Sequence, residues 1–177
     1  FDALGRTLSV TAPDNSVTSY VYEGSTVKVT DAALKWKKYV MNALGSLTKV
    51  IEPNPAGGAD LETNYSYNVR NQLAQVSMPR GGTTQLRTFN YDLPTGRLTS
   101  LTMPESGTAG YTYHAWGGLA TKTDAKNQQA QYSYDGHRRV TQVRRYPVSG
   151  GAESTCQRVD FYYDSNPFDG AYTQNPK

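Results

Sequence analysis

The chain has 177 residues, a formal net charge of +3, 19% charged residues and a single cysteine, Cys156. This length suits about one domain, and so low a charged fraction is unlike that of a disordered acidic or basic tail. One cysteine excludes an internal disulfide framework, and no run reaches the roughly 18 consecutive apolar residues of a membrane-spanning helix.

Pairs of aromatic residues separated by one residue recur along the chain. The opening FDALGRTLSVTAP (1–13) aligns without a gap with YNVRNQLAQVSMP (67–79), so Phe1 matches the second aromatic of a pair. Counted from the second aromatic, copies begin at residues 1, 22, 41, 67, 91, 113, 134 and 163, in steps of 19 to 29 residues. Such a period predicts one β-hairpin per copy. The pairs are Tyr20/Tyr22, Tyr65/Tyr67, Phe89/Tyr91, Tyr111/Tyr113, Tyr132/Tyr134 and Phe161/Tyr163, with Tyr39/Met41 as a weakened copy.

A polar residue follows each second aromatic, and a glycine or its substitute comes a few residues later. An Asp or Asn side chain can accept a hydrogen bond from the backbone two residues on and so begin a turn. The later position is predicted to need a positive φ angle, which glycine adopts freely and asparagine tolerates. The polar residues are Asp2, Glu23, Asn42, Asn68, Asp92, His114, Asp135 and Asp164, and the later ones include Gly5, Gly45, Asn71, Gly96 and Gly117.

Strands are predicted after these turns, at residues 7–11, 98–102 and 140–143, because these runs are rich in β-branched residues. Two aromatics spaced by two share one face of a strand, so their rings are expected to form a cross-strand aromatic ladder. Residues 31–44 are also compatible with a helix capped by Asp31. Since residues 42–53 align without a gap with 2–13, a strand is the favoured interpretation. The prolines at 13, 53, 79 and 104 are expected to end strands.

These motifs resemble the YD repeat, also called the Rhs repeat, of bacterial Rhs and wall-associated toxins, shell components of insecticidal toxin complexes and teneurins. The resemblance covers almost the whole chain and implies an all-β fold of antiparallel hairpins stacked into a curved, spiralling sheet, as one array over residues 1–177. It rests on FDALGR at 1–6, YDLPTGRL at 91–98 and YDGHRRV at 134–140, with Phe1, Asp2, Gly5, Arg6, Tyr91, Asp92, Gly96, Arg97, Tyr134 and Asp135 at the motif positions.

The resemblance also implies a function. In that family the repeats form a hollow shell that encloses a toxic C-terminal domain or supports a receptor scaffold. The expected partners are therefore neighbouring repeats of a longer chain and an enclosed effector domain, in a secreted, cell-surface or injected bacterial protein. Because the chain opens within one repeat and Asp164 begins another, it is expected to be a piece of such an array, with edges able to self-associate.

Several positions depart from the family pattern. Arg138 stands at the position of the glycine and is expected to mark a turn of different geometry. Gly118 stands at the position of the arginine, and the copy at residues 22–32 is shortened. No Asp-Pro dipeptide occurs, so the aspartyl self-cleavage motif of toxin-releasing shells is missing, and the segment is expected to be shell without cleavage machinery or cargo.

Other candidate sites are weaker. His114 and His137 fall at turn positions outside any nucleophile motif, Cys156 has no partner for thiol or metal chemistry, and Arg144 and Arg145 alternate between faces rather than forming a nucleic-acid-binding stripe. No catalytic residue, metal, cofactor or nucleic acid is therefore predicted. Two functions remain: a structural shell segment, or a carbohydrate- or cell-surface-binding module that uses exposed tyrosine rows. Aromatic rings packed between neighbouring strands would favour the first, and rings exposed in a groove the second.

Overall fold

The fold is all-β, as predicted. The computed structural model describes residues 1–163 and 168, and these contain no α-helix. Within this described part, fourteen antiparallel strands follow one another in sequence order in one sheet. The strands are β1 (Ser9–Thr11), β2 (Val17–Glu23), β3 (Thr26–Thr30), β4 (Trp36–Met41), β5 (Leu47–Glu52), β6 (Leu61–Tyr67), β7 (Leu73–Arg80), β8 (Thr83–Tyr91), β9 (Leu98–Met103), β10 (Gly107–Tyr113), β11 (Leu119–Thr123), β12 (Gln129–Tyr134), β13 (Val140–Tyr146) and β14 (Val159–Asp160), and a short 3-10 turn spans Thr155–Gln157.

The chain divides into two compact units, residues 1–89 and 90–177. The first unit contains β1 to β7 and most of β8, and the second contains the end of β8 and β9 to β14. Within each unit every strand pairs with the next one in sequence, so the connections are local hairpins. Local pairing is what a repeat of one hairpin per copy requires.

The segment 31–44, which could also have been a helix, is a turn followed by a strand. Residues 36–41 form β4, which pairs with β3 on one side and with β5 on the other. The carboxylate of Asp31 does not cap a helix, since it accepts a hydrogen bond of 2.8 Å from the backbone N–H of Lys35 within a turn. Pairing on both sides of β4 satisfies the backbone groups of the segment without a helix.

One of the four strand-ending prolines was wrongly predicted. Pro13, Pro53 and Pro104 each lie beyond the end of a strand. Pro79 instead lies inside β7, opposite Thr84 of β8. The strand continues because the chain reverses only after Arg80, at Gly81 and Gly82, which both have positive φ angles.

Few side chains are fully buried. In the described residues the buried hydrophobic side chains are those of Ala130 and Val143, and Thr63 is the buried polar one. Most strand residues are half-buried, including the aromatic pairs of β2, β6, β10 and β12. Stability therefore depends on contacts between neighbouring strands, which makes the hydrogen bonds and ring contacts of the repeat motif its main determinants.

Candidate functional site: the repeat turns

A five-residue turn recurs after the second aromatic. In residues 2–6, the N–H of Asp2 donates to the carbonyl oxygen of Arg6 over 2.9 Å, and the N–H of Gly5 donates to that of Asp2 over 3.0 Å. The Asp2 carboxylate also accepts the backbone N–H groups of Leu4 and Arg6, at 3.0 and 2.9 Å. The predicted role of Asp and Asn as turn formers is therefore observed. Turns with the same two backbone hydrogen bonds begin at Asn42, Asn68, His114 and Asp135.

The fourth residue of each turn has a positive φ angle, as predicted for the glycine position. Gly5 has φ 76° and Asn71 has φ 58°. Beside the turn, the pairing register slips by one residue at the second aromatic, so that Ser66 faces Gln75 whereas Tyr67 faces Leu73. A short turn with a left-handed residue and an adjacent bulge is a common hairpin connection. The same register slip occurs at Met41, Tyr113 and Tyr134.

Arg138 adopts this geometry too, so the prediction of a different turn at Arg138 was wrong. Its φ is 64° and its N–H donates to the carbonyl oxygen of Asp135 over 3.0 Å, as Gly5 does to Asp2. The hydrogen bonds made by Asp135 maintain the left-handed conformation against the cost that a Cβ atom brings. Gly96 also has a positive φ, of 70°. Its turn is one residue longer, because the N–H of Asp92 donates to the carbonyl oxygen of Arg97, five residues on.

Turns of the same kind at the opposite ends of the strands were missed by the sequence analysis. They comprise residues 12–16, 31–35 and 124–128, with Asn15, Leu34 and Asn127 at positive φ. The spacing of Asp124 and Asn127 is the same as that of Asn68 and Asn71, and it could have predicted this turn. The aromatic pairs predict only the turns that directly follow them.

In five of the six complete pairs, the second aromatic links its copy to the preceding one. The hydroxyl group of Tyr22 donates a hydrogen bond of 3.0 Å to the carbonyl oxygen of Thr7, the first residue after the previous turn. This contact recurs between the equivalent residues of later copies. The other examples are Tyr67 to Leu47 (2.7 Å), Tyr113 to Leu98 (2.9 Å), Tyr134 to Leu119 (2.8 Å) and Tyr163 to Val140 (2.8 Å).

These tyrosines were predicted as motif residues, but their hydroxyl bond was not predicted. A signal was present, because every complete pair has tyrosine at its second position, whereas Phe89 and Phe161 occupy the first. Burial raises the pKa of the Tyr113 and Tyr134 phenols, so both stay protonated and able to donate. The second aromatic therefore requires its hydroxyl group, and the first requires only its ring.

The motif arginine connects the turn to the tyrosine of the next pair. The Arg6 Nη2 atom lies 2.6 Å from an Asp2 carboxylate oxygen, and its guanidinium lies 4.3 Å from the centroid of the Tyr22 ring. Arg139 makes the same two contacts, at 2.6 Å with Asp135 and 4.5 Å with Tyr163. A cation placed on an aromatic ring stabilises both. Arg97 lies 5.7 Å from the centroid of Tyr113.

Trp116 replaces this arginine contact where the arginine is missing. Its ring packs edge to face on Tyr134, with centroids 4.9 Å apart. A Cβ atom at Gly118 would lie 2.0 Å from the Trp116 ring, so this position must be glycine for the indole to lie there. The departures at Gly118 and Arg138 are linked, because the Arg138 guanidinium lies 5.3 Å from the centroid of the same indole.

The aromatic ladder differs from the prediction. The registers place Tyr65 opposite Val76, Tyr132 opposite Val143, and Tyr22 opposite Val27. These three rings therefore lie opposite aliphatic residues of the adjacent strand, and Tyr134 contacts aromatic rings from a turn, those of His114 and Trp116. The reason is the hairpin register, which aligns each aromatic strand with the β-branched strand of the same copy.

The terminal motif residues are more exposed than the internal ones. Phe1 is 86% exposed, and Phe161 and Tyr163 are 41% and 36% exposed. Asp164, the polar residue predicted to begin the last turn, lies outside the described residues.

The weaker candidate sites stay isolated. Cys156 is exposed, and among the described residues no three His, Cys, Asp or Glu side chains come close enough to hold a metal ion. Arg144 and Arg145 pair with Gln131 and Ala130 of β12, and as successive strand residues they point to opposite faces of the sheet. Within residues 1–163, no helix has the length and apolar character needed to cross a membrane.

The sequence matches no protein-family model and no curated protein. Solved structures of Tc toxin assemblies have a similar fold. The pore structure of the Photorhabdus luminescens Tc holotoxin with a TccC3 mutation matches 86% of this chain, with a TM-score of 0.70 and 16% identity. The crystal structure of TcdB2-TccC3 matches 82% of this chain, with a TM-score of 0.67 and 16% identity. The crystal structure of TcdB2-TccC3-Cdc42 also matches 82% of this chain, with a TM-score of 0.66 and 14% identity. This chain spans about 8% of the length of each of those chains, so the likeness shows that it has the fold of a segment of a Tc toxin chain.

Proposed function

We propose that this chain is a structural segment of a YD/Rhs-type shell, whose curved wall encloses or carries an effector domain of the same longer protein. The observation that carries the proposal is the tyrosine hydroxyl bond that links five of the copies to the preceding one, as between Tyr67 and Leu47. The turn carboxylates and arginines are used in the same way, in contacts that hold the sheet together. Because the side chains of the motif contact one another and the backbone of the sheet, they favour a structural role over a catalytic one.

The packing of the tyrosine rows favours this proposal over the sugar-binding alternative. Tyr22, Tyr67 and Tyr113 are half-buried, and their hydroxyl groups already donate to backbone carbonyls. A row used to stack on sugars would need open ring faces. The similarity to Tc toxin chains supports a toxin-type shell in a secreted or injected protein.

A protection experiment on the longer protein tests the enclosing role. The domain downstream of the repeats should resist added protease when the repeats are intact, and should become sensitive when Tyr67 and Tyr134 are both changed to alanine. The matched control changes Tyr162, which is 55% exposed, to alanine. A downstream domain that is as sensitive in the intact protein as it is alone would exclude enclosure.

The edge strand β1 provides a test of whether this segment is part of a longer repeat array. β1 pairs with β2, and all three of its residues are exposed. We propose that this edge receives the preceding repeat of the longer chain, and a second copy when the 177 residues are isolated. Light scattering should show association that weakens when two or three repeats are added at each end. A strictly monomeric fragment at high concentration would favour a self-contained domain.

A further inference from the structure

A cavity of about 290 Å³ lies in the second unit, over strands β11, β12 and β13. Its lining includes Ala130 of β12, which is buried, together with Lys122 of β11 and Arg145 of β13. Ala130 pairs directly with Lys122 on one side and with Arg145 on the other. Directly opposed residues share one face of a sheet. Two cationic side chains therefore flank the small side chain of Ala130 on the face that borders the cavity.

Lys122 departs from the residue type of the other copies. In four other copies the first aromatic of the pair lies opposite a valine of the next strand. The four pairings are Tyr20 with Val29, Tyr39 with Val50, Tyr65 with Val76 and Tyr132 with Val143. In the same register position Tyr111 lies opposite Lys122. A wall alone has no need of a cation at this position, since valine serves there in the other four copies.

The cavity carries a net positive charge. Neither Lys122 nor Arg145 makes an ion pair with any residue in the part of the chain that the structure describes. The Asp124 carboxylate also borders the cavity, but it accepts the backbone N–H groups of Lys126 and Gln128, at 2.9 and 2.8 Å. Two positive charges then face one negative charge. The repulsion between the two cations is removed when an anion binds between them.

The loop that follows β13 is fixed against the sheet beside this cavity. The N–H of Ser149 donates to the carbonyl oxygen of Asn127 over 2.7 Å, and the side-chain amide of Gln129 donates to the Ser149 hydroxyl over 3.0 Å. Further along the loop, the N–H of Ser154 donates to the carbonyl oxygen of Arg145 over 2.8 Å. The cavity is therefore formed before a ligand arrives, which lowers the cost of ordering the site on binding.

The two cations define the class of ligand. Neighbouring strands lie about 4.8 Å apart, so the Cα atoms of Lys122 and Arg145 are about 10 Å apart and both long side chains can reach one group above Ala130. A guanidinium binds phosphate through two parallel hydrogen bonds, and a lysine binds it as a point charge. We propose that this cavity binds a phosphate group, held between the Lys122 ammonium and the Arg145 guanidinium. The site is independent of the wall function, because neither residue takes part in the tyrosine hydroxyl bonds.

NMR titration of the 177-residue chain tests the site. At constant ionic strength, inorganic phosphate should shift the backbone amide signals of Lys122, Ala130 and Arg145 in a saturable way. Acetate, which carries one charge, should bind about 10- to 100-fold more weakly, the loss expected for one charge-assisted contact. Absence of a saturable shift with phosphate, or equal affinity for acetate, overturns the proposal. Glycerol 2-phosphate carries the same group as an ester. Whichever phosphate binds more tightly identifies the source of the group, and either order agrees with the proposal.

Two variants locate the binding. Lys122→Val installs the residue type found at Val76 and Val143, so the fold should persist, and phosphate should bind about 10- to 100-fold more weakly. Arg145→Gln should weaken binding to a similar degree. The matched control is Lys126→Gln, which removes one positive charge from the adjacent turn at a residue that does not line the cavity and should leave the affinity unchanged. Unchanged binding in either cavity variant, or an equal loss in the control, contradicts the site.

Discussion

The hydroxyl group of Tyr67 donates a hydrogen bond of 2.7 Å to the carbonyl oxygen of Leu47 on the adjacent strand. The bond forms where the pairing register slips by one residue, at Tyr67 itself. A bulge leaves backbone groups outside the regular hydrogen-bond ladder. The tyrosine hydroxyl bond therefore adds a contact where the regular ladder is interrupted, as it does at Tyr113 and Tyr134.

Removing this hydroxyl should weaken the sheet without altering the ring. Tyr67→Phe is expected to lower the free energy of unfolding by about 1 kcal/mol, the net value of one hydrogen bond whose acceptor stays part-buried. Chemical denaturation measures the change. The control is Tyr65→Phe on the same strand, because Tyr65 makes no hydroxyl hydrogen bond to another described residue. Equal losses in the two variants would show that the Tyr67 hydroxyl has no special role.

Leu34 should be less stable in its turn than a glycine would be. It has φ 59° and its side chain is 80% exposed, so it is strained without packing in return. Leu34→Gly is expected to raise the free energy of unfolding by up to about 1 kcal/mol. The left-handed region costs a residue with a Cβ atom about 1 to 2 kcal/mol, and the greater conformational entropy of glycine in the unfolded chain offsets part of the gain.

Leu44 provides the matched control for this change. It is 77% exposed in an equivalent turn but does not have a positive φ. Leu44→Gly should therefore destabilise by about 0.5 to 1 kcal/mol, the entropic cost alone. Thermal or denaturant unfolding that shows the same sign for Leu34→Gly and Leu44→Gly would refute the strain at Leu34.

The all-β fold and the turn chemistry were predictable because they depend on local residue types. Asn71 could be assigned a positive φ from its alignment with Gly5, and the hydrogen bonds confirm it. Arg138 could not, because its conformation follows from bonds made by Asp135 and from a ring contact with Trp116. A residue type gives a preference, and a preference can be overridden by neighbours that the alignment does not show.

The details of the site escaped prediction for a related reason. Periodicity places Tyr65 and Tyr67 on one face, but which side chains they meet depends on the register of the adjacent strand. The register slip at Tyr67 sets this, so each ring meets an aliphatic residue rather than an aromatic one. The hydroxyl bond to Leu47 joins Tyr67 to the strand on its other side, in the preceding copy. Such contacts span about 20 residues and have no signature in a single copy.

Acid should destabilise the Asp135 turn. The backbone N–H of Arg139, assisted by its guanidinium, holds the pKa of the Asp135 carboxyl below the ordinary value of 3.8. A group whose folded pKa is lowered contributes stability that is present above its ordinary pKa and lost as the pH falls through the lowered folded value. Asp135→Asn places an amide oxygen where the carboxylate oxygen was, as Asn68 does in its own turn, but the amide cannot titrate. The stability of this variant should therefore fall less steeply in acid.

Urea unfolding from neutral to strongly acidic pH measures this difference. The control is Asp124→Asn, since the turn at Asp124 has Gln128 where the Asp135 turn has an arginine, so this change replaces a turn carboxylate without removing its ion pair with an arginine of the same turn. If Asp135→Asn loses stability with falling pH as steeply as the unaltered chain, the carboxylate of Asp135 does not contribute to the acid sensitivity.

Trp116 and Gly118 should be energetically coupled. Restoring the motif arginine with Gly118→Arg brings a Cβ atom to within 2.0 Å of the indole, which must leave its contact with Tyr134. The expected loss is about 1 to 2 kcal/mol, the value of an aromatic pair together with local strain. Trp116→Leu alone should lose about 1 kcal/mol, because Tyr134 then has neither an indole nor a guanidinium against it.

In the double variant the introduced arginine can pack on Tyr134 as Arg6 packs on Tyr22, so the combined loss should fall about 1 kcal/mol short of the sum. A double-mutant cycle by chemical denaturation measures this coupling, and strictly additive losses would mean that the indole does not take the place of the arginine.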